Sequence, residues 1–221
     1  MRPRTALVVT GSELVRGGRR DANGPFLAEE LTRRGLEPAR ITLVGDEPEE
    51  LEAALREGLS ADLLVVSGGL GPTHDDRTVE LLARAAGVPA SVDAELAQEI
   101  ERVSRRIAER LQRPYAEFEE GVRKQATVPE GGRAIGIAGT APGLVVEAGG
   151  AVVVVLPGPP PELRRLVLAI RAACGIEALV WLTDVAGLSR QEASELMRWS
   201  ALALLRTALA EADERTSPRD C

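Results

Sequence analysis

Apolar residues fall along this chain in short continuous runs separated by amphipathic stretches. Within Thr5 to Thr10 the run Ala6-Leu7-Val8-Val9 is unbroken and stops at Gly11, which predicts a strand covered on both faces. From Asp21 to Arg34 the apolar Phe26, Leu27 and Leu31 recur at helical spacing. Pro25 suits a first turn there and Gly35 a C-terminal stop. A second strand is predicted over Pro38 to Val44, then a helix over Pro48 to Leu59 with Leu51, Leu55 and Leu59 on one face, then a third strand over Asp62 to Ser67. The order β-α-β-α-β with short connections specifies a parallel sheet with helices on both faces.

Further along, helices are predicted over Asp75 to Ala86, Asp93 to Leu111 and Tyr115 to Lys124, the last two as an excursion from the core. Leu144 to Glu147 and Ala151 to Leu156, joined across Ala148-Gly149-Gly150, form a predicted hairpin that makes part of the sheet antiparallel. Pro157-Gly158-Pro159-Pro160-Pro161 then opens a helix running to about Ala173. Ala178 to Thr183 suits a strand and Ser189 to Ala210 a capped helix, whereas the charged end from Glu211 is expected to be disordered.

Composition removes several classes of function. Of 221 residues, 44% are hydrophobic and 28% charged, a globular balance, but only 2% are aromatic. Leu, Val, Ile and Ala must therefore fill the core, and a stacking platform for single-stranded nucleic acid is not expected. A net charge of −7 gives no field to gather phosphate backbones. Cys174, Cys221 and the single His74 are too few for a disulfide framework or a zinc site. The first apolar run is too short for a signal peptide, and no stretch reaches the ~20 apolar residues of a membrane span. The expected place is the cytoplasm, with neither membrane nor nucleic acid as partner.

Three polar, glycine-containing junctions each follow a predicted strand: Thr10-Gly11-Ser12-Glu13, Ser67-Gly68-Gly69-Leu70-Gly71-Pro72-Thr73-His74-Asp75-Asp76, and Pro157-Gly158-Pro159-Pro160-Pro161-Glu162. Parallel strands of an open α/β sheet end on one edge, and ligands bind in the crevice there. Glycine lets backbone N–H groups approach a ligand, and helix starts offer unpaired donors, so anionic oxygens suit such places. Gly11, Gly68, Gly69, Gly71, Pro157 and Gly158 are the expected phosphate cradle, with Ser67 and Thr73 as hydroxyl contacts. Turn geometry alone also calls for glycine at such junctions. Neither a P-loop fingerprint nor a Gly-x-Gly-x-x-Gly after the first strand is present.

Asp75 and Asp76 are expected in the first turn of a helix, where carboxylates are favoured by the helix dipole alone. The functional reading joins one or both with Glu13 as oxygen ligands for a divalent metal, Mg²⁺, Mn²⁺ or Co²⁺, completed by substrate phosphates. Lys124 either complements the end of its helix or folds over the site to neutralise phosphate charge.

With these residues in view, a resemblance is specific. Gly11-Ser12-Glu13-Leu14, Asp21-Ala22-Asn23, Val44-Gly45-Asp46, Ser67 through Thr78, Lys124-Gln125-Ala126, Gly139-Thr140-Ala141-Pro142-Gly143 and Leu156-Pro157-Gly158-Pro159-Pro160 resemble the ordered motifs of the CinA (competence/damage-inducible) N-terminal domain family. That family lies within the MoaB/Mog molybdopterin-binding superfamily. The resemblance, from about Thr5 to Ala173, implies an α/β fold: a three-layer α/β/α sandwich with a mostly parallel sheet plus the antiparallel hairpin.

The resemblance adds Asn23 and Thr78 to the binding set and Lys124 as a phosphate contact. It implies a nucleotide or pterin ligand, a homo-oligomer, and metal-dependent hydrolysis of a nucleotide diphosphate such as ADP-ribose. Two alternatives are a molybdopterin-binding, adenylyltransferase-like role in molybdenum cofactor biosynthesis and a non-catalytic ligand sensor. The expected organisation is a ligand-binding domain over 1–175 and a divergent, truncated tail over 176–221. Gly187 to Glu192 resembles the start of a linking segment, and no amidase domain is expected.

Overall fold

The computed structural model describes residues 3–174, 179, 182–183 and 187–200. Its central sheet has six strands in the order β2-β1-β3-β8-β7-β6. Here β1 is Thr5–Thr10, β2 Pro38–Val44, β3 Leu63–Ser67, β6 Gly132–Ala138, β7 Ala141–Ala148 and β8 Ala151–Leu156. β2, β1, β3 and β8 are parallel, with Val8 opposite both Thr42 and Val66, and Val65 opposite Val154. β7 is antiparallel to β8 and β6 to β7.

Alternation along the central strands creates two core faces, because successive side chains leave a strand on opposite sides. Ala6, Val8, Leu64 and Val66 pack with Leu51, Leu55, Leu81, Leu82 and Ile100. Leu7, Val65 and Leu156 turn the other way, onto Leu27, Leu163 and Leu166. One face is thus covered by α3 (Pro48–Gly58), α4 (Thr78–Ala86) and α5 (Ala94–Leu111), the other by α2 (Asn23–Thr32) and α7 (Pro160–Cys174). This is the expected three-layer sandwich with its hairpin.

The predicted excursion is anchored to that core. α5 starts on the Asp93 carboxylate, which accepts from Leu96 N at 2.9 Å, and buries Leu96, Ile100, Ser104 and Ala108 at a spacing of four. A two-stranded antiparallel sheet, β4 (Ala90–Val92) with β5 (Thr127–Pro129), closes it. Neither strand was expected, and neither was β6, whose glycines and irregular register between Ala134 and Gly136 hide its period. The helix expected over Tyr115 to Lys124 divides into a 3-10 turn, Tyr115–Glu117, and α6, Glu119–Gln125.

Two placements differ from expectation. Asp75 and Asp76 are not in a helix: α4 begins only at Thr78, and both carboxylates stand in the turn before it. The strand expected over 178–183 lies largely outside the described residues; Leu179, Leu182 and Thr183 are helical, and the Thr183 hydroxyl donates to the Leu179 carbonyl. Residues 190–200 form the predicted capped helix. Ser189 N and Oγ donate to Glu192 Oε2 at 2.9 and 2.7 Å, while Glu192 N returns to Ser189 Oγ at 3.3 Å, a capping box. The remainder, to Ala210 and from Glu211 onward, lies outside the described residues.

Candidate functional site

The C-terminal ends of β1, β2, β3 and β8 share one sheet edge, and their loops interlock there. Asn23, at the start of α2, is the central tie: its Nδ2 donates to Ser67 Oγ at 2.9 Å and to the Gly158 carbonyl at 2.7 Å. The Ser67 hydroxyl in turn donates to the Pro157 carbonyl at 3.3 Å. Gly68 N donates to Leu156 O at 3.0 Å, and a side chain on Gly68 would run into the Thr10 carbonyl. Asn23 is 5% exposed and its Oδ1 has no hydrogen-bond partner, an unmet buried acceptor on the ligand edge.

The loop after β3 is drawn into a hoop by Thr78. Thr78 N donates to the Gly69 carbonyl at 3.2 Å and its fully buried hydroxyl to the Gly68 carbonyl at 2.9 Å. Gly68 and Gly69 have φ of 111° and 65°, a left-handed pair that glycine alone adopts cheaply. Successive N–H groups in such a turn point toward a common centre. Among the described residues, the N–H groups of Gly69, Leu70, Gly71 and Gly158 donate to no protein atom. These four are unspent donors on the edge where the parallel strands end.

α6 holds this loop from outside. Gly121 faces Pro72, Lys124 Nζ donates to the Thr73 carbonyl, and the buried Gln125 amide donates to Leu70 O at 3.0 Å and Thr140 Oγ1 at 3.4 Å. Lys124 therefore folds over the loop. Asp76 Oδ2 accepts from the N and Oγ1 of Thr73. At the exposed tip His74 Nε2 lies 3.0 Å from Asp75 Oδ1.

Several predicted contacts have other parts to play. Ser67 and Thr78 are 1% and 0% exposed, so their hydroxyls shape the cradle from behind. Gly11 is buried and its N–H is spent on Val44 O at 3.1 Å. α1 (Ser12–Val15) is too short to offer a helix start, and Ser12 N is spent on Asp46 Oδ2 at 2.8 Å. Glu13 folds back over Gly11. Among the described residues no three His, Cys, Asp or Glu side chains gather to hold a metal, so Glu13, Asp75 and Asp76 form no ready ligand set.

Sequence reasoning named Asp46 only within the motif Val44-Gly45-Asp46 and gave it no role; it accepts from Ser12 N and from Thr10 Oγ1, the latter at 3.1 Å. Its signal was its place directly after β2, a fourth strand end on the same edge. Glu162 was read only as part of its junction. Its carboxyl is half-buried at the start of α7, and burial pushes its pKa above the ordinary carboxylate range against the opposing charge of Arg165.

Residues 6–171 match the family model described as a probable molybdopterin binding domain. A crystal structure of the protein CinA from Thermoplasma acidophilum is 33% identical, with a TM-score of 0.67, and the match covers 76% of this chain and 97% of that one. The chain belongs to this family, on its CinA branch. CinA-like proteins of Mycolicibacterium paratuberculosis and of Mycobacterium sp. (strain MCS) are 43% and 45% identical over 173 and 184 residues, 74% and 81% of this chain. The chain spans only 40% and 42% of those relatives' lengths. Asn23, the glycine hoop and the Pro157–Gly158 turn all fall within the residues matched to the family. Among the described residues no helix is long and apolar enough to cross a membrane.

Proposed function

We propose that this CinA-family domain binds the diphosphate of a nucleotide and, with a divalent metal, hydrolyses it, ADP-ribose being the model substrate. The observation that carries the reading is the set of four unspent N–H groups, on Gly69, Leu70, Gly71 and Gly158, at the sheet edge where Asn23, Ser67 and Thr78 fix the backbone. Donors held in place before the ligand arrives stabilise phosphate charge without reorganising. Lys124 adds a formal positive charge held against this loop by its bond to the Thr73 carbonyl.

Magnesium is commonly held by one or two carboxylates plus substrate phosphates. Asp75 Oδ2 and Asp76 Oδ1 accept no hydrogen bond among the described residues, so they fit that kind of site rather than an all-protein cage. When bound there, Mg²⁺, Mn²⁺ or Co²⁺ would offset phosphate charge. Asp76 has a second task, pinning Thr73 and with it the loop tip.

The test is AMP release from ADP-ribose by the purified protein, with and without each metal, beside Asp76→Asn. Asparagine keeps an acceptor for Thr73, so the fold should survive while metal-dependent release is lost. No release with any metal overturns the hydrolase reading; undiminished release by Asp76→Asn removes the metal-carboxylate part of it. The family match favours a second reading, a phosphorylated pterin in the same cradle. Pterin fluorescence copurifying with a protein that releases no AMP would support that reading instead.

A further inference from the structure

Glu162, in the first turn of α7, is a carboxyl on the ligand edge of the sheet that the hydrolase reading has not used. Leu144 lies opposite Val155 and Ala138 opposite Ala141, so the Gly139–Thr140 turn between β6 and β7 emerges on the same edge as the parallel strand ends. The Glu162 carboxyl rests against that turn: a Cβ on Gly139 would stand 2.6 Å from Oε1. Gln125 joins the same turn to the glycine loop through Thr140 and Leu70. Glu162 also follows Gly158, with its unspent N–H, by four residues at the start of α7.

The other carboxylates of this edge are occupied or exposed. Both oxygens of Asp46 accept hydrogen bonds, and Asp21 caps Asn23 N and Gly24 N at 2.9 and 3.0 Å. Asp76 holds Thr73, Asp75 pairs with His74, and Glu13 is exposed. Glu162 alone on this edge combines partial burial with a carboxyl that makes no hydrogen bond among the described residues. Asn23 Oδ1, buried and unpartnered on the same edge, is an independent sign that a donor-bearing ligand belongs there.

Resting on the hydrolase reading, we infer that Glu162 is the general base of phosphoanhydride cleavage, a catalytic residue that takes the proton of the attacking water. The water oxygen forms a bond to phosphorus as the bond to the bridging oxygen breaks. The bridging oxygen leaves with its electron pair on the departing phosphate, and the water proton moves to a Glu162 oxygen and then to that phosphate or to solvent. Burial lifts this carboxyl toward working pH, where general bases are most effective. Arg165, on its own helix, is the charged group acting on it. The neighbour shown from the β6–β7 turn, Gly139, carries no charge.

The experiment measures kcat and KM for metal-dependent AMP release from ADP-ribose between pH 5 and 9, for wild type, Glu162→Gln and Glu162→Asp. Glu162→Gln should lower kcat by about 100-fold or more, leave KM within about threefold, and abolish the fall of rate on the acid side. Glu162→Asp should give an intermediate kcat and keep the acid limb, which a purely structural role would not produce. Wild-type turnover with Glu162→Gln unchanged, or with its acid limb intact, overturns the role of Glu162 alone. Absence of wild-type turnover overturns the hydrolase reading and this role with it.

Discussion

Asn23 Nδ2 donates to the Gly158 carbonyl oxygen at 2.7 Å, across 135 residues of chain. The bond joins the start of α2 to the turn that starts α7, and the same nitrogen holds Ser67 between them. Asn23→Ala removes both bonds of a buried side chain and should lower stability by about 1–3 kcal/mol. Asn23→Asp turns an acceptor toward the Gly158 carbonyl and buries an unpaired charge, so at pH 8 it should cost more than alanine does. Urea unfolding of the two variants ranks them; equal midpoints would show that the amide is not a tie.

Gly69 and Thr78 form a second pair whose energies should not add. A Cβ on Gly69 would overlap Thr78 Oγ1, and φ of 65° is itself costly for alanine. Thr78→Ala clears the space but gives up the bond to Gly68. Each single variant should lose about 1–3 kcal/mol, and Gly69→Ala/Thr78→Ala should lose clearly less than their sum, by about 0.5 kcal/mol or more. A strictly additive cycle would place the clash elsewhere.

The part of this architecture carried by local pattern was legible in the sequence. Continuous apolar runs marked β1, β3 and β8, because a run with no polar position inside it leaves little room for another period; only Asp62, taken as the start of β3, falls outside its strand. β6 was missed because Gly132 and Gly136 interrupt its run, and β4 and β5 because three residues carry no period. The edge on which the junctions meet followed from topology. Which hydroxyls face the ligand did not, since Ser67 and Thr78 are sealed by partners 90 and 10 residues away. Glu162 stood in view as a letter, but its half-buried place depends on the β6–β7 turn folding over from another hairpin.

Lys124 offers a test of electrostatics without disturbance of the core. Its ammonium group reaches the exposed Thr73 carbonyl from the last turn of α6. Lys124→Met should leave stability within about 0.5 kcal/mol, as for a surface site, yet weaken ADP-ribose binding by about fivefold at low salt. Raising ionic strength should narrow the gap between variant and wild type, because an exposed charge is screened. Titration calorimetry at two salt concentrations reads this directly, and a gap independent of salt would deny the lysine its charge role.

Glu162 should also leave a mark on stability, independent of any substrate. Burial is the larger influence on its carboxyl and raises its pKa in the folded state, Arg165 opposing; the unfolded chain keeps the ordinary glutamate value of about 4.3. Below that value both states are protonated, and the side chain is held at no ionisation cost. As pH rises, the unfolded state releases its proton first, so the native state binds more protons and stability falls. The fall is complete once pH has passed the raised folded value. Glu162→Gln cannot ionise, so its melting temperature should match wild type at pH 4 and exceed it at pH 8. The loss of attraction to Arg165 shrinks this difference without reversing it, because burial is the larger effect. A variant less stable than wild type at pH 8 would mean that the carboxylate is paired in the folded protein, and a group already paired is poorly placed to take a proton from water.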